Sequence, residues 1–175
     1  MGTKRLGLAR VEALIENLKR ELALGAGTKL VGNYRAIENV TADDALTAAE
    51  SETLYVFTDA AATLTLPDSG AGDIIGVTFH FLSNFQGTGQ KVVCADTTNE
   101  KLVGSVSAVD NDAAADIRGW PALVGSNFSS VNITSVSQGH PGSYWSLTCI
   151  AADRWLVRGT MIQSNGSEAT PFATS

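Results

Sequence analysis

The sequence predicts a mainly β protein, an antiparallel β-sandwich of jelly-roll-like arrangement, with an amphipathic α-helix at its N-terminus. Two observations lead to this prediction. Apolar residues in the first 24 positions recur at helical spacing, whereas from residue 53 onward short β-prone segments alternate with turn-like sequences. We therefore predict a helical assembly arm in residues 1–25, a linker region in 26–52, and a β-sandwich domain with a polar C-terminal tail in 53–175.

The predicted N-terminal helix carries an apolar stripe whose spacings are 3, 4, 3 and 4 residues, the a/d rhythm of a coiled-coil seam. Gly25 ends the helical pattern. An isolated helix of this length is marginal in water, so the stripe must be buried against the body of the protein, sister helices or another protein. We predict that this seam is an assembly interface formed by Leu8, Val11, Ile15, Leu18 and Leu22.

Eight segments are predicted to form strands because they are rich in β-branched and aromatic residues, which suit a pleated, half-buried surface. Turn-like sequences rich in Gly, Pro, Asn and Asp separate them, as is typical of all-β sandwiches and barrels. A longer loop is expected at 118–127, and the tail after Gln163 is expected to be polar and extended. The candidate strands are Thr53–Thr58, Thr63–Leu66, Ile74–Leu82, Lys91–Ala95, Leu102–Val109, Val131–Val136, Tyr144–Ala151 and Trp155–Met161.

The charge of the chain is unevenly distributed. Its net charge is −6, yet residues 1–20 hold five basic and two acidic side chains, or +3, which leaves −9 for the remainder. Phosphate binding needs clustered Lys and Arg, so an acidic body argues against a nucleic-acid partner. No apolar run reaches the ~20 residues of a membrane span, and no signal peptide is recognisable. We therefore expect synthesis in a cytoplasm and no membrane partner.

The titratable residues show no pattern typical of catalysis or of a tight metal site. His80 lies in a candidate strand and is expected to be exposed or hydrogen-bonded, whereas His140 is expected to shape a turn. HExxH, paired CxxC and GxSxG motifs are absent. Asp110, Asp112 and Asp116 are close enough in sequence to bind calcium, but they lack the ligand pattern of an EF-hand, so a solvated turn is favoured. We expect no catalytic residues, no metal and no cofactor, and therefore no enzyme.

Cysteines and tryptophans mark the expected core. Cys94 and Cys149 lie in apolar runs and are expected to be buried, reduced thiols, with a disulfide between neighbouring strands as the alternative. Trp145 and Trp155 fall in the two strands of a predicted hairpin, where a cross-strand aromatic pair in the core or at an edge is the simplest explanation. Exposed aromatic rings, Trp120 among the candidates, would instead suit stacking on sugars.

Two sequence features together resemble those of a known class of proteins. Residues 63–82 form a predicted strand, a turn with Pro, Asp and Gly, and a longer strand, while residues 142–161 form a predicted hairpin whose return strand begins Asp-Arg-Trp. With the opening at 1–22, this arrangement resembles the β-rich virion proteins of tailed bacteriophages, in particular small capsid decoration (cement) proteins and the bases of head fibres and tail appendages. The resemblance covers residues 1–25 and 54–161. It implies a location in the virion at the capsid surface, a homotrimeric or otherwise symmetric assembly, contact with the major capsid protein, and no catalytic residues.

Three functions stay open at this point. A capsid decoration protein that binds and stabilises the phage head shell is favoured, because a long fibre or a receptor-binding tip would need more sequence after the last predicted strand. The anchoring part of a head fibre or tail appendage is the alternative of the same class. A carbohydrate-binding module, with Trp120, Trp145 or Tyr144 as stacking platforms, is the alternative of another class. A glycan hydrolase needs two placed carboxylates, and no such pair stands out.

Overall fold

The structure, a computed structural model, describes residues 36–58, 61–86, 89–111, 117–164 and 168–174. The predicted N-terminal helix and its seam lie outside these residues. The described residues form twelve strands: β1 (Ile37–Val40), β2 (Asp44–Ala45), β3 (Leu54–Phe57), β4 (Ala61–Thr65), β5 (Thr78–Ser83), β6 (Gly89–Val93), β7 (Lys101–Asp110), β8 (Ile117–Ala122), β9 (Ser130–Ile133), β10 (Tyr144–Ala151), β11 (Arg154–Gln163) and β12 (Phe172–Ala173).

The strands form two mixed β-sheets. Seven strands make a larger sheet in the order β1-β3-β5-β10-β11-β7-β8, and five make a smaller sheet in the order β12-β9-β6-β4-β2. The pairs β1/β3, β3/β5, β7/β11, β2/β4 and β4/β6 are parallel. The prediction of a mainly β protein is confirmed, whereas the prediction of an antiparallel arrangement is wrong for these pairs.

The parallel pairs follow from the path of the chain. The first six strands alternate between the sheets, with β1, β3 and β5 in the larger one and β2, β4 and β6 in the smaller one. The chain therefore crosses to the other sheet and returns before it adds the next neighbour, so the two neighbours run in the same direction. Antiparallel pairing of consecutive strands occurs later, at β7/β8 and β10/β11. Turn-like sequences mark both kinds of connection, so the sequence pattern does not distinguish them.

All eight candidate strands overlap an observed strand, and β10 has the predicted bounds. The other four strands were not predicted. β1 and β2 precede residue 53 and pair with β3 and β4. β8 occupies the start of the stretch expected to be a loop, and β12 lies in the tail, where it pairs with β9. The loop prediction is therefore wrong for residues 118–122, which belong to β8. Gly119 and Pro121 are uncommon in strands, so the sequence pattern did not indicate one here.

One cluster of buried apolar side chains includes residues of both sheets. Trp145 stacks on Phe57 and Phe81, with ring centroids 6.1 and 5.5 Å apart. Trp155 packs against Phe79 at a centroid distance of 6.1 Å. Burial of the two tryptophans in a β10–β11 hairpin is confirmed. Trp145 is paired with Gly159 across the hairpin, however, and Trp155 with Cys149, so the two tryptophans do not lie directly opposite each other.

Candidate functional site

The structure describes several of the residues that the sequence analysis selected. The predicted assembly seam lies outside the described residues and stays a prediction. Asp110 is buried at the end of β7, and Asp112 and Asp116 lie outside the described residues. Within the described ranges, no group of three or more His, Cys, Asp and Glu side chains is placed to hold a metal ion. His140 shapes a turn as predicted, because its carbonyl accepts a hydrogen bond from the N–H of Ser143 at 3.0 Å.

An apolar surface flanks the edge strand β8. Ile117, which is 81% exposed, lies opposite the exposed Val109 of β7, and the loop after β8 carries Leu123 and Val124, which are 63% and 64% exposed. We call these four residues the β8 surface. At about 3.3 Å per residue, its two halves lie about 20 Å apart along the strand. Two pairs of exposed large apolar side chains therefore lie at the two ends of this sheet edge, and exposed apolar patches can mark an interaction surface.

The β8 edge is poorly suited to accept a further strand. β8 is the outermost strand of the larger sheet, and it contains Pro121 opposite Ser105 of β7. Proline has no backbone N–H to offer, and proline on an edge strand hinders the pairing of another chain. A partner is therefore expected to contact the β8 surface through side chains rather than by extending the sheet.

The three aromatic residues considered as sugar platforms are already engaged. Trp145 is 1% exposed and has no free ring face. Trp120 packs against the core, and its Nε1–H donates a hydrogen bond to Oε1 of Gln163 at 3.2 Å. The ring of Tyr144 stacks on His80 with centroids 6.1 Å apart. These positions count against a flat stacking platform at Trp145 and Trp120, whereas Tyr144 is 39% exposed and is limited only by its stacking on His80.

His80 is buried on β5 between Glu52 and Tyr144. Its Nδ1 lies 2.7 Å from the Tyr144 hydroxyl, and its Nε2 lies 3.2 Å from a carboxylate oxygen of Glu52. Because an ionised carboxylate only accepts hydrogen bonds, Nε2 carries a proton, and in a neutral imidazole Nδ1 then accepts from the hydroxyl. Glu52 has a φ of +68°, in the left-handed region that is uncommon for residues other than glycine. The arrangement fixes the imidazole and links β5, β10 and the turn before β3, so His80 is hydrogen-bonded as predicted.

Glu100, which no sequence pattern selected, is fully buried and accepts four hydrogen bonds. Its Oε1 accepts from the N–H and the hydroxyl of Ser69, at 2.6 and 2.5 Å, and from Nε1–H of Trp155 at 3.3 Å. Its Oε2 accepts from the N–H of Asp96 at 2.8 Å. A buried carboxylate is tolerated when donors satisfy its oxygens. The network joins three separate segments of the chain, so the role of Glu100 is structural.

Both cysteines are buried, free thiols, as predicted. Burial, together with the charge of Glu100, raises the pKa of the Cys94 thiol to about 12. Burial also raises the pKa of the Cys149 thiol. Since the thiolate is the nucleophile, a raised pKa makes both side chains unreactive at neutral pH, as expected of core residues.

A cavity of about 160 Å³ lies where the chain passes from β1 in the larger sheet to β2 in the smaller one. Glu38, Asp43 and Asp44 give it an acidic wall, and the buried Tyr55 and Leu64 also line it. We call it the Tyr55 cavity. No sequence motif marks it, because its walls come from strands that only the topology brings together.

None of the described segments forms a helix with the length and hydropathy of a membrane span. Comparisons with protein-family models, with curated proteins and with solved structures found no match to this chain. Its function is therefore inferred from its own residues.

Proposed function

We propose that this chain is a virion structural protein of a tailed phage, a capsid decoration protein that binds the assembled head shell and stabilises it. The observation that carries the proposal is the β8 surface, whose exposed apolar side chains are typical of an interaction site. The resemblance of the sequence to decoration proteins supports the same function. In this proposal the chain forms a homotrimer through its N-terminal seam, contacts the major capsid protein, and acts on the capsid surface after synthesis in the host cytoplasm.

As part of this proposal, the two mixed sheets pack face to face as a β-sandwich. The shared core supports this packing, since Tyr55 and Phe57 of the larger sheet belong to the same buried cluster as Leu64 and Val92 of the smaller sheet. Residues 1–25 form an amphipathic helix in this description. A close-packed aromatic core keeps the exposed surfaces in a fixed shape, which suits a protein that must fit a regular lattice.

A decoration protein stabilises a shell because it binds only the assembled state. Its binding free energy then adds to the stability of that state by mass action. Burial of about 400 Å² of apolar surface contributes roughly 10 kcal/mol before the costs of association are subtracted. The β8 surface and the seam would supply apolar area of this kind, and neither needs a reactive group.

The anchoring part of a head fibre or tail appendage would use the same surfaces, so it stays the second candidate of the same class. A carbohydrate-binding module is less well supported, because Trp145 is buried, Trp120 packs against the core, and the ring of Tyr144, although 39% exposed, stacks on His80. Retention of a monomeric chain on a glycan array would favour this module over a decoration protein.

Replacing Ile15 and Leu18 together by aspartate is expected to abolish self-association. Each charge buried without a partner in an apolar interface costs several kcal/mol, which exceeds what a short seam contributes. Asn17→Asp adds a charge on the polar side of the same predicted helix and is the matched control, expected to leave association unchanged. Sedimentation velocity measures the association, and far-ultraviolet circular dichroism checks that the β structure persists. An unchanged sedimentation coefficient of the double variant would rule out the seam as the interface.

A further inference from the structure

Three interacting side chains have the order of a base-activated nucleophile, namely carboxylate, imidazole and hydroxyl. Nδ1 of His80 lies 2.7 Å from the Tyr144 hydroxyl, and Nε2 lies 3.2 Å from a carboxylate oxygen of Glu52. The hydroxyl is thus within hydrogen-bond reach of the imidazole, which is the first requirement for a general base. An imidazole that contacts a hydroxyl with one nitrogen and an orienting carboxylate with the other can accept the hydroxyl proton.

The backbone around Glu52 is fixed in an unfavourable conformation, with a φ of +68°. The N–H of Glu52 donates to the carbonyl of Thr78 at 2.6 Å, and the N–H of His80 donates to the carbonyl of Thr53 at 3.0 Å, so the turn is fastened to β5. Strained residues of this kind persist only where the surrounding structure determines them, and they are concentrated at functional sites. The turn therefore holds the carboxylate beside the imidazole.

Tyr144 lies between this imidazole and a cation. His80 is buried on β5, whereas Tyr144 on β10 is exposed. Tyr144 is paired with Thr160 of β11, so Arg158, two residues earlier, is a diagonal neighbour on the same face of the sheet. Diagonal neighbours are about 7–8 Å apart, within reach of a long side chain. Arg158 is exposed and forms no ion pair with a residue that the structure describes, so its guanidinium can face negative charge that develops beside Tyr144.

We propose that Tyr144 is a nucleophile that accepts an acyl group from an activated ester. His80 is its general base, Glu52 is the positioning residue that orients His80, and Arg158 stabilises the oxyanion. The proposal goes beyond capsid binding and does not depend on it, since it rests on the side chains around Tyr144.

The acyl transfer balances without a further reactant. The hydroxyl oxygen of Tyr144 attacks the carbonyl carbon of the ester while its proton passes to Nδ1 of His80, and the carbonyl electron pair moves to the oxygen, beside Arg158. When the tetrahedral intermediate collapses, the bond to the alcohol oxygen breaks and this oxygen takes up the proton from His80. The products are an ester of Tyr144 and the free alcohol or phenol of the donor.

Reaction of the full chain with 4-nitrophenyl acetate tests the proposal. Peptide mapping by mass spectrometry at timed intervals gives the rate at which each residue is acetylated. We expect Tyr144 to be acetylated at least about tenfold faster than the phenol of N-acetyl-tyrosine amide in the same buffer, which is a small part of what a positioned base contributes. The buried Tyr55 is the internal control and is expected to stay unmodified.

Variants of His80 and Glu52 connect the rate to these side chains. His80→Asn keeps a hydrogen-bond acceptor but no base, and is expected to slow acetylation of Tyr144 about tenfold or more, whereas His140→Asn removes the other imidazole and leaves the rate unchanged. In the unsubstituted chain the rate should rise with pH in the range where imidazoles titrate. Glu52→Gln is expected to move this rise to lower pH, because the carboxylate no longer favours the protonated imidazole. A purely structural role of Glu52 would not move the pH profile.

Variants on β11 test the cation. Arg158→Gln is expected to slow acetylation about threefold or more. Arg154→Gln is the matched control, because it removes the same charge at the start of β11, and it is expected to leave the rate unchanged. Tyr144→Phe keeps the aromatic ring and is expected to abolish acetylation at this position, while far-ultraviolet circular dichroism checks that each variant folds. Equal rates in Arg158→Gln and Arg154→Gln would contradict the stabilisation of the oxyanion by Arg158.

Each contrary outcome overturns the proposal. Acetylation of Tyr144 no faster than that of N-acetyl-tyrosine amide would show that the hydroxyl is not activated. A fast rate that both His80→Asn and Glu52→Gln leave unchanged would exclude these side chains as its cause. An acetyl group found on His80 rather than on Tyr144 would make the imidazole the nucleophile. Because none of these outcomes involves phage heads, failure here leaves the proposed decoration function standing.

Discussion

Replacing Gly159 by alanine is expected to lower the free energy of unfolding by at least about 3 kcal/mol, since overpacking that moves backbone lies at the costly end of such substitutions. Gly159 lies in β11, between β10 and β7 in the larger sheet. A Cβ at this position would lie 2.3 Å from the carbonyl oxygen of Tyr144 and 2.5 Å from Cα of Trp145. These are backbone atoms, so two hydrogen-bonded strands must separate and the ring of Trp145 must move with them.

Gly119→Ala is the matched control for this substitution. Gly119 also lies in a strand, β8, yet a Cβ there would meet no atom within 4 Å. Alanine in a strand loses less backbone entropy than glycine, so we expect the stability to rise by up to about 1 kcal/mol. Chemical denaturation of both variants measures the difference. Equal stabilities of Gly159→Ala and Gly119→Ala would contradict the close approach of β10 and β11.

The second large effect is expected for Glu100→Ala, which removes the acceptor of four hydrogen bonds. The donors on Ser69, Trp155 and Asp96 then lose their partner inside the protein, and each orphaned buried donor costs about 1–3 kcal/mol. We expect a loss of about 4 kcal/mol in the free energy of unfolding, which is a large part of the stability of a domain of this size.

Asp73→Ala is the control for Glu100→Ala because it removes an exposed carboxylate. Surface substitutions of this kind usually change stability by less than about 0.5 kcal/mol. Urea unfolding monitored by tryptophan fluorescence suits the comparison, since Trp155 belongs to the Glu100 network. If Glu100→Ala were as stable as Asp73→Ala, the buried network would contribute nothing and Glu100 would be free for another role.

The sequence predicts those parts of the fold that depend on local patterns. The hairpin of β10 and β11 is recognisable because β-prone residues flank a short turn, and the burial of Trp145 and Trp155 follows from their place in it. The pairing direction of the first six strands depends on which sheet each strand joins, and this information is not local. Strand β8 was not predictable from local sequence, because it contains Gly119 and Pro121, which are uncommon in strands.

The candidate sites were predictable to a smaller extent, because they are built from distant segments. Glu38 and Tyr55 become neighbours only through the parallel pair β1/β3, and Asp44 and Leu64 only through β2/β4. An isolated glutamate such as Glu100 is usually a surface residue, and its burial depends on donors far away in the sequence. The seam, by contrast, is a local pattern of helical spacing and stays a prediction.

The central claim is that this chain binds an assembled phage head and stabilises it. The most direct measurement adds the purified full chain to phage heads assembled without it, and then records co-sedimentation and the temperature at which the heads fall apart. We expect the chain to pellet with the heads and to raise this temperature. We expect Ile117→Asp to reduce both effects, while Asn84→Asp, which adds the same charge at an exposed position after β5, leaves them unchanged. A chain that stays in the supernatant and leaves the disruption temperature of the heads unchanged would contradict the claim.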